Sequence, residues 1–154
     1  MKTRTILASL AIVLAGAALG LAQDVNMGTW KLNDAKSKFG AGNGKATTVV
    51  YAMDGDNIKV IVDGVGADGK PMHNEWVGKY DGKDYPVKGT SAYDSRAYTK
   101  ITDTTTNMTI KKGGKVVANG TITVAPDGKS RTVKVSGVDP HVTAFDQNAV
   151  YSKQ

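Results

Sequence analysis

Beyond residue 22, apolar and polar residues alternate along the chain in short runs. Ile58, Val60 and Val62 share one face of such a run, Val116, Ala118 and Ile122 share another, and Val133 and Val135 a third. A period of two is that of a strand with one buried side, and the runs are rich in the Val, Ile, Thr and Tyr that suit a pleated surface. No segment past residue 22 carries a helical apolar stripe over three turns. Punctuation between the runs is regular: Asp54-Gly55-Asp56-Asn57, Ala67-Asp68-Gly69-Lys70, Tyr80-Asp81-Gly82-Lys83, Lys112-Gly113-Gly114-Lys115 and Pro126-Asp127-Gly128-Lys129 each offer the positive-φ residues of a tight hairpin turn. The pattern predicts strands near 27–33, 46–54, 57–63, 71–80, 84–88, 95–102, 106–112, 115–125, 130–137 and 146–152. The run at 84–88 carries the weakest strand signal.

Turns at this spacing describe an antiparallel meander, which must protect its edges by closing on itself or stacking. The predicted fold is therefore all-β, an up-and-down antiparallel β-barrel of about 8–10 strands in one domain spanning 23–154. Its interior is predicted to draw on Val49, Tyr51, Met53, Ile58, Val60, Val62, Trp76, Met108, Ile110, Val116, Ile122, Val124, Val133, Val135 and Tyr151. A barrel of this size is either filled by side chains or holds one small ligand. With aromatic residues at only 6% and many Ala, Gly and Thr, the interior is expected to be partly open.

The first 22 residues read differently. Lys2 and Arg4 precede a run from Ile6 to Leu21 that is apolar apart from Ser9 and two glycines, and Gly20-Leu21-Ala22 ends in a small residue. That is the layout of a signal peptide over residues 1–22, cleaved after Ala22 or, as the other candidate, Gly20. The run is short for a bilayer and lacks a basic flank on its far side, so no stable membrane insertion is expected after cleavage. The destination implied is exported, periplasmic or extracellular. Cleavage removes two of the 20 basic residues and none of the 14 acidic ones, taking the net charge from +6 to +4. The remaining lysines are scattered singly, which gives a mildly basic surface and no nucleic-acid footprint. With no cysteine, disulfides, thiolate catalysis and zinc-thiolate sites are excluded. About 130 residues is ample for one core, and a monomer is expected.

Gly28-Thr29-Trp30, followed by Lys31-Leu32-Asn33 and by Lys36-Ser37-Lys38-Phe39, resembles the Gly-x-Trp first-strand motif of the calycins, the lipocalins and fatty-acid-binding proteins. In such barrels Gly28 would let the chain bend in and Trp30 would pack across the closed floor. Thr102-Asp103-Thr104 looks like a reduced second lipocalin motif. The whole stretch past residue 22 is similar to small exported bacterial proteins called lipocalin-like, a resemblance that implies no particular activity. The departures are specific. Asn33 to Lys45 is too short and Gly-rich for the two helices that cover a fatty-acid-binding barrel, and Val150-Tyr151-Ser152-Lys153 lacks the Arg of its carboxylate clamp. For the Arg that stacks on the lipocalin Trp, only Lys153 or the more distant Arg131 can stand in.

Candidate chemistry is sparse. His73 and His141 are the only histidines and lie far apart; they read as two surface or mouth residues, and no metal site is predicted. Asp54, Asp56, Asp63 and Asp68 flank turns without the calcium-loop spacing, and Glu75 is the sole glutamate. No Gly-x-Ser-x-Gly elbow occurs. No catalytic residues, enzymatic activity or cofactors are therefore expected. Only convergence of His73 or His141 with Asp and Arg side chains inside a cavity would revive an enzyme. Tyr80, Tyr85, Tyr93 and Tyr98 crowd one turn and the next strand, and with Arg96 and Trp76 they are the candidates to line a cavity or its mouth around a small hydrophobic or amphipathic ligand. The function expected is an exported, non-enzymatic binding protein. The alternative is a protein–protein interaction or inhibitor module with a packed barrel core.

Overall fold

In the computed structural model, described for residues 23–40, 43–138 and 144–154, ten strands follow one another: β1 (Gly28–Leu32), β2 (Lys45–Asp54), β3 (Asn57–Val65), β4 (Pro71–Gly78), β5 (Tyr85–Gly89), β6 (Ser95–Lys100), β7 (Thr105–Lys112), β8 (Lys115–Val124), β9 (Ser130–Val138) and β10 (Ala144–Lys153). Each pairs antiparallel with its neighbours in the chain, and β1 pairs with β10 as well as β2, closing the barrel. The fold is all-β with a single 3-10 turn at Asp34–Lys36 among the described residues. Residues 1–22, expected to be a signal peptide, and His141 lie outside the described residues.

Alternation and turn chemistry account for this order. Gly55, Gly69, Gly82, Gly113, Gly114 and Gly128 all take positive φ at the five hairpins read from the sequence. Gly28 opens β1 at φ 109°, and a Cβ there would lie 3.0 Å from Cε of Lys153 on the neighbouring strand. The weak run near Tyr85 forms a short strand. It has three register partners on β4 and only two on β6, Arg96 and Ser95, and the residue opposite Ser95 is Pro86, which has no backbone N–H to give.

Two expected core positions are exposed. Val116 is 52% exposed because β8 bulges: Ile110 pairs with Ala118 but Lys111 pairs with Val116, so Val117 is skipped. The extra residue reverses the alternation, sending Val116 outward while Ala118 stays buried. Met53 is 63% exposed despite sharing parity with Val49 and Tyr51. It sits one residue from the β2–β3 turn, past the end of the packed interior. Ile58, Val133 and Val135 are half-buried against the core, whose most enclosed residues include Trp30, Trp76, Val60 and Tyr98.

Candidate functional site

An up-and-down barrel sends successive connections to alternate ends. The turns β2–β3, β4–β5, β6–β7 and β8–β9 share one end with the start of β1 and the finish of β10; the other five connections form the opposite rim. The two ends are built differently.

At the first end Trp30 is wholly buried, and its indole Nε1 donates to the carbonyl of Asn26 at 2.7 Å. That carbonyl belongs to a turn just ahead of β1, held by the Met27 N–H donating to the Asp24 carbonyl. Met27 and Asn26 are both buried, so the segment before β1 closes the barrel end over the indole. Cations cover the ring: the Arg131 guanidinium carbon lies 4.6 Å from its centroid and Lys153 Nζ 5.2 Å. Trp76 is also at this end, fully buried, donating to the Arg96 carbonyl at 2.8 Å and packed edge-on to Tyr98 and Tyr85.

The opposite end is open. A cavity of about 800 Å³ runs inward from the rim residues Phe39, Gly44, Asp68, Lys70, Thr90, Tyr93, Lys112 and Phe145. Its deeper wall is mainly apolar, with Val49, Val62, Met108, Ile110, Ala118, Ile122 and Ala149, and its polar groups are few. Arg96 and Arg131 line it together with Tyr51, Tyr93, Tyr98 and Tyr151.

The expected lining residues thus separate. Tyr93, Arg96 and Tyr98 come together on the cavity wall, whereas Trp76, Tyr80 and Tyr85 do not line it. Tyr80 and Tyr85 flank the β4–β5 turn, and Tyr93 sits at the next connection, so the alternation of ends puts them at opposite poles of the barrel. Tyr85 instead donates to Asp81 at 2.9 Å on the turn, and Tyr80 packs against Tyr98. Burial drives the Tyr80 hydroxyl far above its usual range. Arg131 and Tyr51, which join the site, were not grouped with the tyrosines in the sequence. The sequence signal for Arg131 is that it is one of the two cations able to stack on Trp30.

Arg96 is 3% exposed and well supplied: it donates to the Tyr98 hydroxyl at 3.0 Å, to Asn74 Oδ1 at 3.2 Å and to the Tyr93 hydroxyl. Burial opposes its charge, but the surrounding phenol oxygens of Tyr93 and Tyr98 outweigh that and hold the guanidinium protonated. Burial pushes the Tyr98 hydroxyl up against the opposing pull of Arg96, and the Tyr151 hydroxyl up to about 12. Both phenols are neutral donors and acceptors at ordinary pH. Tyr151 spends its proton on the Ala46 carbonyl at 2.9 Å.

His73 lies on the outside of β4, its Nδ1 2.6 Å from Asp63 Oδ1 on β3 and its Nε2 3.7 Å from Glu75. Glu75 is itself paired with Lys59 at 3.0 Å. The ring is more than half exposed and does not line the cavity. Among the described residues no group of three or more His, Asp or Glu side chains is placed to hold a metal ion, and no helix is long and apolar enough to cross a membrane.

No protein-family model matches the chain, and no curated protein matches it. Among solved structures it is similar to a redesigned β-barrel, mFAP1, bound to DFHBI, with 16% identity over 84% of this chain and 95% of that one and a TM-score of 0.48.

Proposed function

We propose that this chain is an exported, non-enzymatic binding protein of lipocalin-like architecture that holds one small apolar or amphipathic molecule inside its barrel. The cavity carries the reading: about 800 Å³, open at one rim and walled chiefly by apolar side chains with a few convergent polar groups. Those are the size and lining of a small-molecule site, which typically spans about 300–1,000 Å³. The alternative of an interaction module with a packed core requires an interior filled by its own side chains, and an opening of that volume weighs against it. Export rests on the composition of residues 1–22.

Titration with the neutral solvatochromic dye Nile red tests the binding role. A saturable blue shift at one site per chain is the expected result, and native mass spectrometry of protein recovered from the producing cell is expected to show a bound small molecule. Absence of any dye binding by folded protein would overturn the proposal. Sequencing the N-terminus of the exported form tests the rest, with Gln23 expected first.

A further inference from the structure

Only two charged side chains are buried among the described residues, Arg96 and Arg131, and both face the cavity. The carboxylate that lines it, Asp68, is at the rim, where it accepts from the backbone N–H of Lys70 at 3.0 Å. The interior therefore holds two guanidiniums, which stay charged at any physiological pH, with no buried carboxylate among the described residues to balance them. Withdrawing a charge from water is costly unless something compensates it.

The two arginines are compensated differently. The Arg96 donors are taken by Asn74 and the two phenols, leaving Nε without a partner. Arg131 is 2% exposed and stacked: its guanidinium carbon lies 4.6, 4.9 and 5.1 Å from the ring centroids of Trp30, Tyr51 and Tyr151. Stacking engages the flat faces of the guanidinium and leaves its edge, where the N–H donors are, unspent. Accordingly Nε and Nη1 of Arg131 are both buried with no hydrogen-bond partner. Nε shares one edge of the guanidinium with Nη2 and Nη1 shares the other, so each edge keeps an unspent N–H to offer an oxygen of a carboxylate or phosphate. The Tyr93 hydroxyl accepts from Arg96, so it keeps its own proton to donate.

We propose that the cavity ligand is an amphipathic anion, with an apolar body along the Val, Met, Ile and Ala wall and one acidic terminus, carboxylate, sulfonate or phosphate monoester, seated against the Arg131 edge. This rests on the binding role proposed above and specifies the chemistry of the bound molecule. Arg96 acts as a positioning residue that holds the two phenols toward the cavity.

The test uses the whole chain past residue 22 with Nile red bound, displaced in parallel by dodecanoate and 1-dodecanol, which share an alkyl body and differ in the charged end. Dodecanoate is expected to displace the dye at a concentration at least tenfold below that of the alcohol. Arg131→Met is expected to erase that difference while still binding Nile red, and Arg131→Lys to restore part of it. Equal potency of the two competitors against the natural protein overturns the anion proposal and leaves the binding role standing. So does a dodecanoate preference that survives in a folded Arg131→Met protein. Should Arg131→Met fail to fold, dodecanoate displacement by the natural protein is followed to below the fatty acid's own pKa, where the preference is expected to vanish; persistence there has the same overturning force. If neither Nile red nor either competitor binds, the binding role itself fails and the anion proposal with it.

Discussion

Trp30 is the residue on which most of the closed end converges. Its indole N–H is spent on Asn26, its ring carries Arg131 and Lys153, and the turn before β1 closes over it. Trp30→Phe keeps an aromatic face but strands the buried Asn26 carbonyl and leaves a void where the second ring packed. The expected loss is about 2 kcal/mol, read as a lower urea midpoint with unchanged slope. His73 offers a quieter test on the outer wall. The hydrogen bond to Asp63 raises its pKa above 6.5, with Glu75 adding to the same effect. A raised folded-state pKa means the imidazolium favours folding below about pH 6.5, and this contribution disappears as pH climbs through the folded value. The ring is too exposed for the stability effect to be large. NMR titration of the His73 ring is the direct measurement: a midpoint above 6.5 is expected, falling toward 6.5 in Asp63→Asn. An unshifted midpoint in the natural protein would refute the pairing.

All ten strands were legible as elements because five of the nine connections announce themselves with Gly-containing hairpin turns and the walls between them with alternation. What a period of two cannot register is an inserted residue. In β8 both Val116 and Ala118 sit on the face with Ile122 by parity, yet the skipped Val117 turns Val116 to solvent. Val116→Lys is therefore expected to change stability by no more than about 0.5 kcal/mol, whereas Ala118→Lys, which buries an unpaired ammonium, is expected to cost at least about 3 kcal/mol. Chemical denaturation of the two variants decides the register, and equal costs would contradict the bulge. The candidate site was only half legible for a related reason. Proximity in sequence grouped Tyr80 and Tyr85 with Tyr93, although one connection separates opposite ends of a meander. Arg131 meets Trp30 through the pairing of β10 with both β1 and β9, a relation between residues 101 positions apart that no local pattern encodes.

The barrel as a whole depends on one narrow junction between its extremes. Closure rests on Trp30 paired with Lys153, Lys31 with Ser152 and Leu32 with Tyr151, so the last strand made is also the one that removes both free edges. Tyr151 fixes the same junction from inside through its bond to the Ala46 carbonyl and its contact with Arg131, and Lys153 Nζ reaches the Val25 carbonyl at 3.2 Å. Deleting Tyr151–Gln154 removes all three pairs and exposes the flank of β1 together with the free edge of the remaining β10, which stays paired with β9 from Ala144 to Val150. Loss of edge closure acts on the entire sheet, since each wall strand is held through its neighbours around the ring. The truncated chain is expected to lose its sharp unfolding transition and to self-associate through the opened edges, seen as scattering in a concentration series where the full chain remains clear. Removing only Gln154, whose backbone N–H donates to the Thr29 carbonyl but which has no register partner in β1, is expected to leave the transition sharp. A sharp transition in the longer deletion would instead place closure in the other nine seams and make the β1–β10 junction dispensable to the fold.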